Sequence, residues 1–259
     1  MPDIHMNVNA PGPLFTAAVA PARAPLRNLT LLSQLVERSL NRKSDLPGMV
    51  CFSGYSGYGK SYAAAFVAAN FRAYYVEARD TWTKKSMLAA ILKQMGVATP
   101  GGWTVDDMRE AVAMQLAKSG RPLIIDEMDY VVDRNLVQLV RSIYEGSRAT
   151  IVLIGEEKLP HKLEAFEMFH NRILKWAQAE PCNVEEAALL AQLYSRSVTL
   201  GTDLLEHVVH ETRGITRRVC INLDAIIEWA AGAGLRHVAL ADWGGRELDT
   251  GAPPRVRGR

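Results

Sequence analysis

Apolar residues recur at helical spacing from residue 26 onward: Leu29, Leu31, Leu32, Leu35, Val36 and Leu40 predict a helix that Asp45-Leu46-Pro47-Gly48 breaks. The pattern then changes to a short apolar run at 49–52, read as a buried strand, and an alanine-rich helix at 62–70. A second strand is expected at 73–78, a helix at 87–95 closed by Gly96, and a turn at Pro100-Gly101-Gly102. Thr104 stands as N-cap of a further helix running to Lys118, with acidic residues in its first turn. The run Leu123-Ile124-Ile125 predicts a third strand, 135–146 a helix, 150–155 a fourth strand and 173–177 a fifth. Between the last two, 161–170 reads as mostly helical, with Leu163, Phe166 and Phe169 on one face.

Strands alternating with helices predict an α/β fold with a parallel sheet flanked by helices. After Pro181 the strand pattern stops, and 184–194, 203–211, 216–231 and 239–247 all read as helices. The expected organisation is therefore an α/β unit at 26–182 and a small all-α unit at 183–248. A proline-rich arm at 1–25, expected to be mobile, precedes them, and a basic tail at 249–259 carries Arg255, Arg257 and Arg259.

Chemistry enters between the first strand and its helix. Gly54-Tyr55-Ser56-Gly57-Tyr58-Gly59-Lys60-Ser61 fits G-x-x-x-x-G-K-[ST], a loop whose backbone N–H groups cradle phosphates. Tyr62 follows in the first turn of a helix whose N-terminus would face the anion. Lys60 would place a charge near the β/γ oxygens, and the Ser61 hydroxyl can ligate Mg²⁺. The expected ligand is a nucleotide, ATP with Mg²⁺. The third strand ends in Asp126-Glu127, about 65 residues beyond the loop. There Asp126 can hold the magnesium shell, while Glu127 can orient and deprotonate an attacking water.

Composition adds little constraint. The 259 residues are 48% hydrophobic and 22% charged, with net charge +2, so contact with nucleic acid is permitted without being required. Cys51, Cys182 and Cys220 are far apart and form no C-x-x-C pair, which argues against a disulfide framework or zinc site. His207 and His210 lie three apart on a helix without an accompanying carboxylate motif, and read as a surface or packed pair. No secretory signal and no 18-residue apolar run is found, so a cytoplasmic protein off the membrane is expected.

The phosphate loop, the Asp-Glu strand end and the C-terminal helices together resemble the AAA+ ATPases, over roughly residues 26–248. The resemblance implies a nucleotide-binding core with a helical lid. It implies a polar sensor at the end of the fourth strand, where this chain has Gly155-Glu156-Glu157, leaving Glu156 as candidate or the role altered. It implies an arginine finger just before the fifth strand, a position matched by Arg172, reaching a neighbouring subunit's γ-phosphate. Gly214-Ile215-Thr216-Arg217-Arg218 looks like the second sensor box, with Arg217 as phosphate contact and Arg218 as the spare.

Within that group the chain is similar to the transposition ATPases of the phage Mu B and TnsC type. The likeness lies in the Tyr-Gly-Lys-Ser loop, the segment from Trp82 to Gly96, and the span from Gly155 to Arg172. It implies homo-oligomers or filaments on double-stranded DNA that capture target DNA for a transposase or integrase and stimulate it. Thr83, Lys84 and Lys85, on the loop expected after the second strand, are then the candidate DNA contacts. The alternative is an AAA+ or STAND-like regulatory ATPase acting on a protein partner without DNA. A small-molecule kinase shares the phosphate loop, but the Asp-Glu strand end and G-x-x-R box count against it.

Overall fold

The computed structural model describes residues 26–252. The proline-rich stretch and the three tail arginines lie outside them. Helix α1 (Arg27–Leu40) leads into β1 (Met49–Ser53), α2 (Lys60–Asn70), β2 (Tyr74–Glu77), α3 (Lys84–Met95) and α4 (Val105–Ser119). Next come β3 (Leu123–Asp126), α5 (Met128–Asp133), α6 (Val137–Ser147) and β4 (Ile151–Gly155). Two short helices, α7 (Leu159–Glu164) and α8 (Glu167–His170), precede β5 (Ile173–Gln178).

All five strands are parallel, in the order β2-β3-β4-β1-β5. Their side chains feed two cores by simple alternation. Val50 and Phe52 of β1 join Ile124, Val152 and Ile154 on the face covered by α1 and α2. Met49 and Cys51 join Leu123, Ile125, Ile151 and Leu153 on the face covered by α3, α4 and α6. Burial on both faces explains why these strands read as unbroken apolar runs. A fully buried side chain such as Phe52 contributes about 1.5–3 kcal/mol by leaving water.

Beyond β5 the chain forms α9 (Val184–Tyr194), β6 (Thr199–Leu200), α10 (Thr202–Glu211), α11 (Thr216–Gly232), β7 (His237–Val238) and α12 (Leu240–Trp243). Leu204, Leu205, Val208, Val219, Leu223 and Ile226 share the core that holds α1 and α2, and the helices that carry them pack chiefly on one another. Among the described residues no helix is long and apolar enough to cross a membrane.

Four local expectations change. Strands do not stop at Pro181, because Thr199–Leu200 pairs in parallel with His237–Val238. The helix expected at 239–247 ends at Trp243, where Gly244 turns left-handed (φ 62°) and closes it. The helix expected at 161–170 divides at Phe166, whose backbone (φ −112°, ψ 70°) leaves the helical region. Lys84 and Lys85 are not on a loop, although Thr83 is. Thr83 and Ser86 form a reciprocal capping box, which starts α3 at Lys84.

Candidate functional site

Strand β1 delivers the chain to the carboxyl edge of the sheet, where parallel α/β folds bind their ligands. The loop 54–59 needs its glycines for different reasons. Gly59 adopts φ 82° and heads α2 with no side-chain cap, leaving the first-turn N–H groups to a ligand. A Cβ on Gly57 would lie 2.7 Å from Ile215 Cγ2, and one on Gly54 2.8 Å from Ala179 Cβ. The loop is thus clamped between the end of β5 and the start of α11. Tyr55 and Ser56 are exposed, and the Tyr55 and Tyr58 rings stand 5.6 Å apart. Ser61 and Tyr62 are exposed on the first turn of α2. Lys60 curls back, its Nζ donating to the carbonyls of Gly54 (2.7 Å) and Tyr55 (2.9 Å).

Strand β3, two places across the sheet from β1, brings the acids to the same edge. Asp126 is buried, its Oδ1 accepting the Glu127 N–H (2.9 Å) and its Oδ2 accepting the Tyr75 hydroxyl (2.8 Å). Glu127 sits in the left-handed region (φ 54°, ψ 42°), a strained conformation costing on the order of 1 kcal/mol or more for a side-chain-bearing residue. Asp129, also buried, accepts the Glu156 N–H at its Oδ2 (2.7 Å). Its Oδ1 lies 3.1 Å from Lys162 Nζ. Glu156 itself is exposed.

Charge crowding sets the electrostatics. Burial pushes the Glu127 carboxyl up, Asp126 beside it pushes the same way, and Lys60 opposes both. Burial pulls the Lys60 ammonium down from its ordinary value, while Glu127, Asp126, Glu156 and Asp129 draw it back up. Burial and the Asp126 carboxylate hold the Tyr75 phenol protonated well above its usual range, so it remains a donor to Asp126. The carboxylates around Lys60 favour a bound cation, while the ammonium and the uncapped first turn of α2 supply the positive potential an anion needs. Ser61 and Asp126 offer a hydroxyl and a carboxylate of the kind magnesium accepts.

The two sensor-box arginines part company. The Arg217 N–H donates to the Gly57 carbonyl (3.0 Å), which sets its exposed side chain beside the phosphate loop. Arg218 turns away to Asp249 (3.0 Å). Arg172 lies at the other end of the sheet: its carbonyl accepts the Met49 N–H, and its Nη2 is 3.3 Å from Glu145. It is therefore outside this chain's own phosphate site. Thr83 is exposed at the N-cap of α3 and Lys84 and Lys85 on its first turn, while Trp82 is buried in the core that also holds Met87 and Leu88.

Sequence reasoning missed Tyr75, Asp129 and Asn28. The first two follow the patterns of a strand residue and a short-helix residue, and nothing local marks them. Asn28 is buried, its amide donating to the carbonyls of Tyr58 (2.9 Å) and Glu180 (2.8 Å) while its Oδ1 accepts the Glu180 N–H (2.9 Å). It ties the start of α1 to the phosphate loop and to the exit from β5. Beside it Arg27 bridges Glu180 (2.5 Å) and Glu186 (3.2 Å). Among the described residues no cluster of three His, Cys, Asp or Glu could hold a metal by itself.

A family profile described as an AAA domain matches residues 21–163. No curated protein matches the sequence. Solved structures do resemble it in fold. The Aeropyrum pernix ORC2 protein (ADPNP-ADP complexes) superposes with TM-score 0.64 at 17% identity, over 84% of this chain and 66% of that one. The Aeropyrum pernix ORC1 protein in complex with DNA gives 0.59 at 21% identity, over 82% and 61%. Domain III of the Thermotoga maritima replication initiation protein DnaA gives 0.53 at 14%, over 84% and 90%. The chain spans just under two thirds of the two ORC chains it is similar to.

Proposed function

The chain belongs to the AAA domain family, and we propose that within it the protein is an ATPase that assembles on DNA and serves transposition. The observation carrying the ATPase part is the meeting of Lys60, Asp126 and Glu127 at one edge of the sheet, beside the uncapped N-terminus of α2. Loop residues 54–62 would hold the phosphates, with Arg217 and Glu156 at the rim. Magnesium, when bound, neutralises charge on the β and γ oxygens, and Ser61 with Asp126 would hold it. Glu127 would take the proton of the attacking water, and Lys60 would stabilise the charge that develops. Arg172 would complete the site of an adjoining copy, which fits its place at the far end of the sheet. In this reading residues 26–182 are the nucleotide-binding core and 183–248 its lid, with turnover stimulated by DNA or a partner. The protein works in the cytoplasm with a transposase or integrase.

Two observations support a DNA partner. The solved relatives include an ORC1 protein in complex with DNA. Lys84 and Lys85 occupy the first turn of α3, which contains no acidic residue, at the helix end whose dipole disfavours cations by about 0.3–1 kcal/mol each. The helix gains nothing from them there, whereas phosphate contacts would. The test is a mobility shift and negative-stain imaging with ATP, ADP and no nucleotide at two salt concentrations. ATP-dependent, salt-sensitive coating of random-sequence DNA is expected. Absence of DNA binding in every nucleotide state, with ATP still bound, would overturn the DNA role in favour of a protein partner.

A further inference from the structure

Strand β4 ends at Gly155, and the space its side chain would fill is taken. A Cβ there would lie 2.4 Å from Asp129 Oδ2 and 2.7 Å from Leu159 Cδ2. Gly155 is not in the left-handed region, so it is room and not backbone freedom that its glycine provides. The carboxylate in that room comes from α5, the short helix that starts immediately after Glu127. It is 7% exposed and accepts the Glu156 N–H at 2.7 Å. Lys162 of α7, 3.1 Å from Asp129 and 3.1 Å from Asp133, balances its charge.

We infer that Asp129 is a positioning residue: its carboxylate replaces a side chain at the end of β4 and locks the turn at Glu156 to the helix that begins directly after Glu127. Three facts converge on this. A carboxylate so buried is costly unless paired and hydrogen-bonded, and here Lys162 and the Glu156 amide do both. The partner glycine is sterically matched to it. The connection joins the ends of β3 and β4, adjacent strands of the sheet, at the edge where Lys60 meets the acids. Its consequence is geometric: with the tie intact, Glu127 and the rim residue Glu156 keep a set separation, and without it α5 and the β4–α7 turn move independently. Asp129 touches no reacting atom. It acts through Glu127 and Glu156, and the catalytic consequence rests on the proposed ATPase reading.

The test uses the full chain, comparing Asp129→Ala, Asp129→Asn and Gly155→Ala with wild type. ATP turnover, affinity for a fluorescent ATP analogue and exchange of the Glu156 amide are measured. Asp129→Ala should raise Glu156 exchange at least about tenfold and lower kcat by a similar factor, with ATP affinity within about threefold. Asp129→Asn keeps an acceptor for the amide and should recover most of both losses. Gly155→Ala, which crowds an unaltered carboxylate, should reproduce the Asp129→Ala defects and carries the test if that variant fails to fold. Unchanged Glu156 exchange in Asp129→Ala and Gly155→Ala overturns the tie. So does an asparagine no better than alanine, or a loss that falls on affinity instead of kcat. Wild type that shows no turnover while exchange responds as stated would sink the ATPase reading and leave the tie standing.

Discussion

The two ends of the parallel sheet spend their polar groups differently. At the carboxyl end, Lys60 faces several carboxylates, Glu127 adopts a strained backbone, and the phosphate loop is held from outside by Asn28 and by contacts with α11. At the amino end, polar side chains close gaps in the main chain. Ser39 Oγ donates to the Gly48 carbonyl and meets Thr150 Oγ1, Arg42 reaches the carbonyls of Ser39 and Arg148, and the Tyr144 hydroxyl accepts the Gly48 N–H. The amino end joins main-chain segments through neutral hydroxyls and one arginine, whereas the carboxyl end gathers an ammonium and several carboxylates. Crowded charge concentrates where function is expected, whereas left-handed residues occur at both ends, Glu127 at the carboxyl end and Arg72 and Arg148 at the amino end.

Lys60→Ala strikes the charged end hardest and should abolish ATP binding; normal affinity by equilibrium titration would remove the loop from nucleotide recognition. Arg172 is the sharpest challenge to the division, since it lies at the amino end yet is expected to act. Arg172→Ala should lower DNA-stimulated turnover by about 10³-fold with ATP affinity retained. Mixing it with Lys60→Ala subunits should restore part of the rate, since each supplies what the other lacks. Failure of every mixture to recover would return Arg172 to an ordinary ion pair with Glu145. Glu127→Gln should bind ATP and turn over roughly 10²-fold or more slower, as expected on losing a general base. Wild-type turnover there would exclude Glu127 from the mechanism. The smallest effect belongs to Tyr144→Phe. It leaves the buried Gly48 N–H unpaired at a cost of about 1–3 kcal/mol, and melting should fall by roughly 2–4 °C per kcal/mol without a change in kcat. A kcat defect in that variant would show that the two ends are coupled.

Much of the fold could be read from the chain because its causes are local. The five expected strands are the five strands of the parallel sheet, and Thr104 and Asp107 cap α4 as their spacing implies. The helical start of Lys84 was also written locally, in Thr83 and Ser86 three apart, and a serine in place of the usual Glu or Gln at the third position hid it. Gly244-Gly245 was a visible stop that the apolar periodicity of 239–247 overrode.

The sequence by itself determined which segments are strands and helices, where a phosphate loop lies, and which strand ends in paired acids. Glycine spacing, side-chain alternation and capping act between residues within a turn or two of one another. Only the tertiary structure decided that the Arg217 N–H meets the Gly57 carbonyl while its neighbour Arg218 pairs with Asp249, and that Arg172 stands at the opposite edge from Lys60. It also decided that Asp129 meets the amide of Glu156, 27 residues away, and that Asn28 joins Tyr58 to Glu180, 152 residues beyond it. Those pairings depend on strand order and on how helices cross the sheet, and no local pattern encodes the distance between two segments until the cores bring them together.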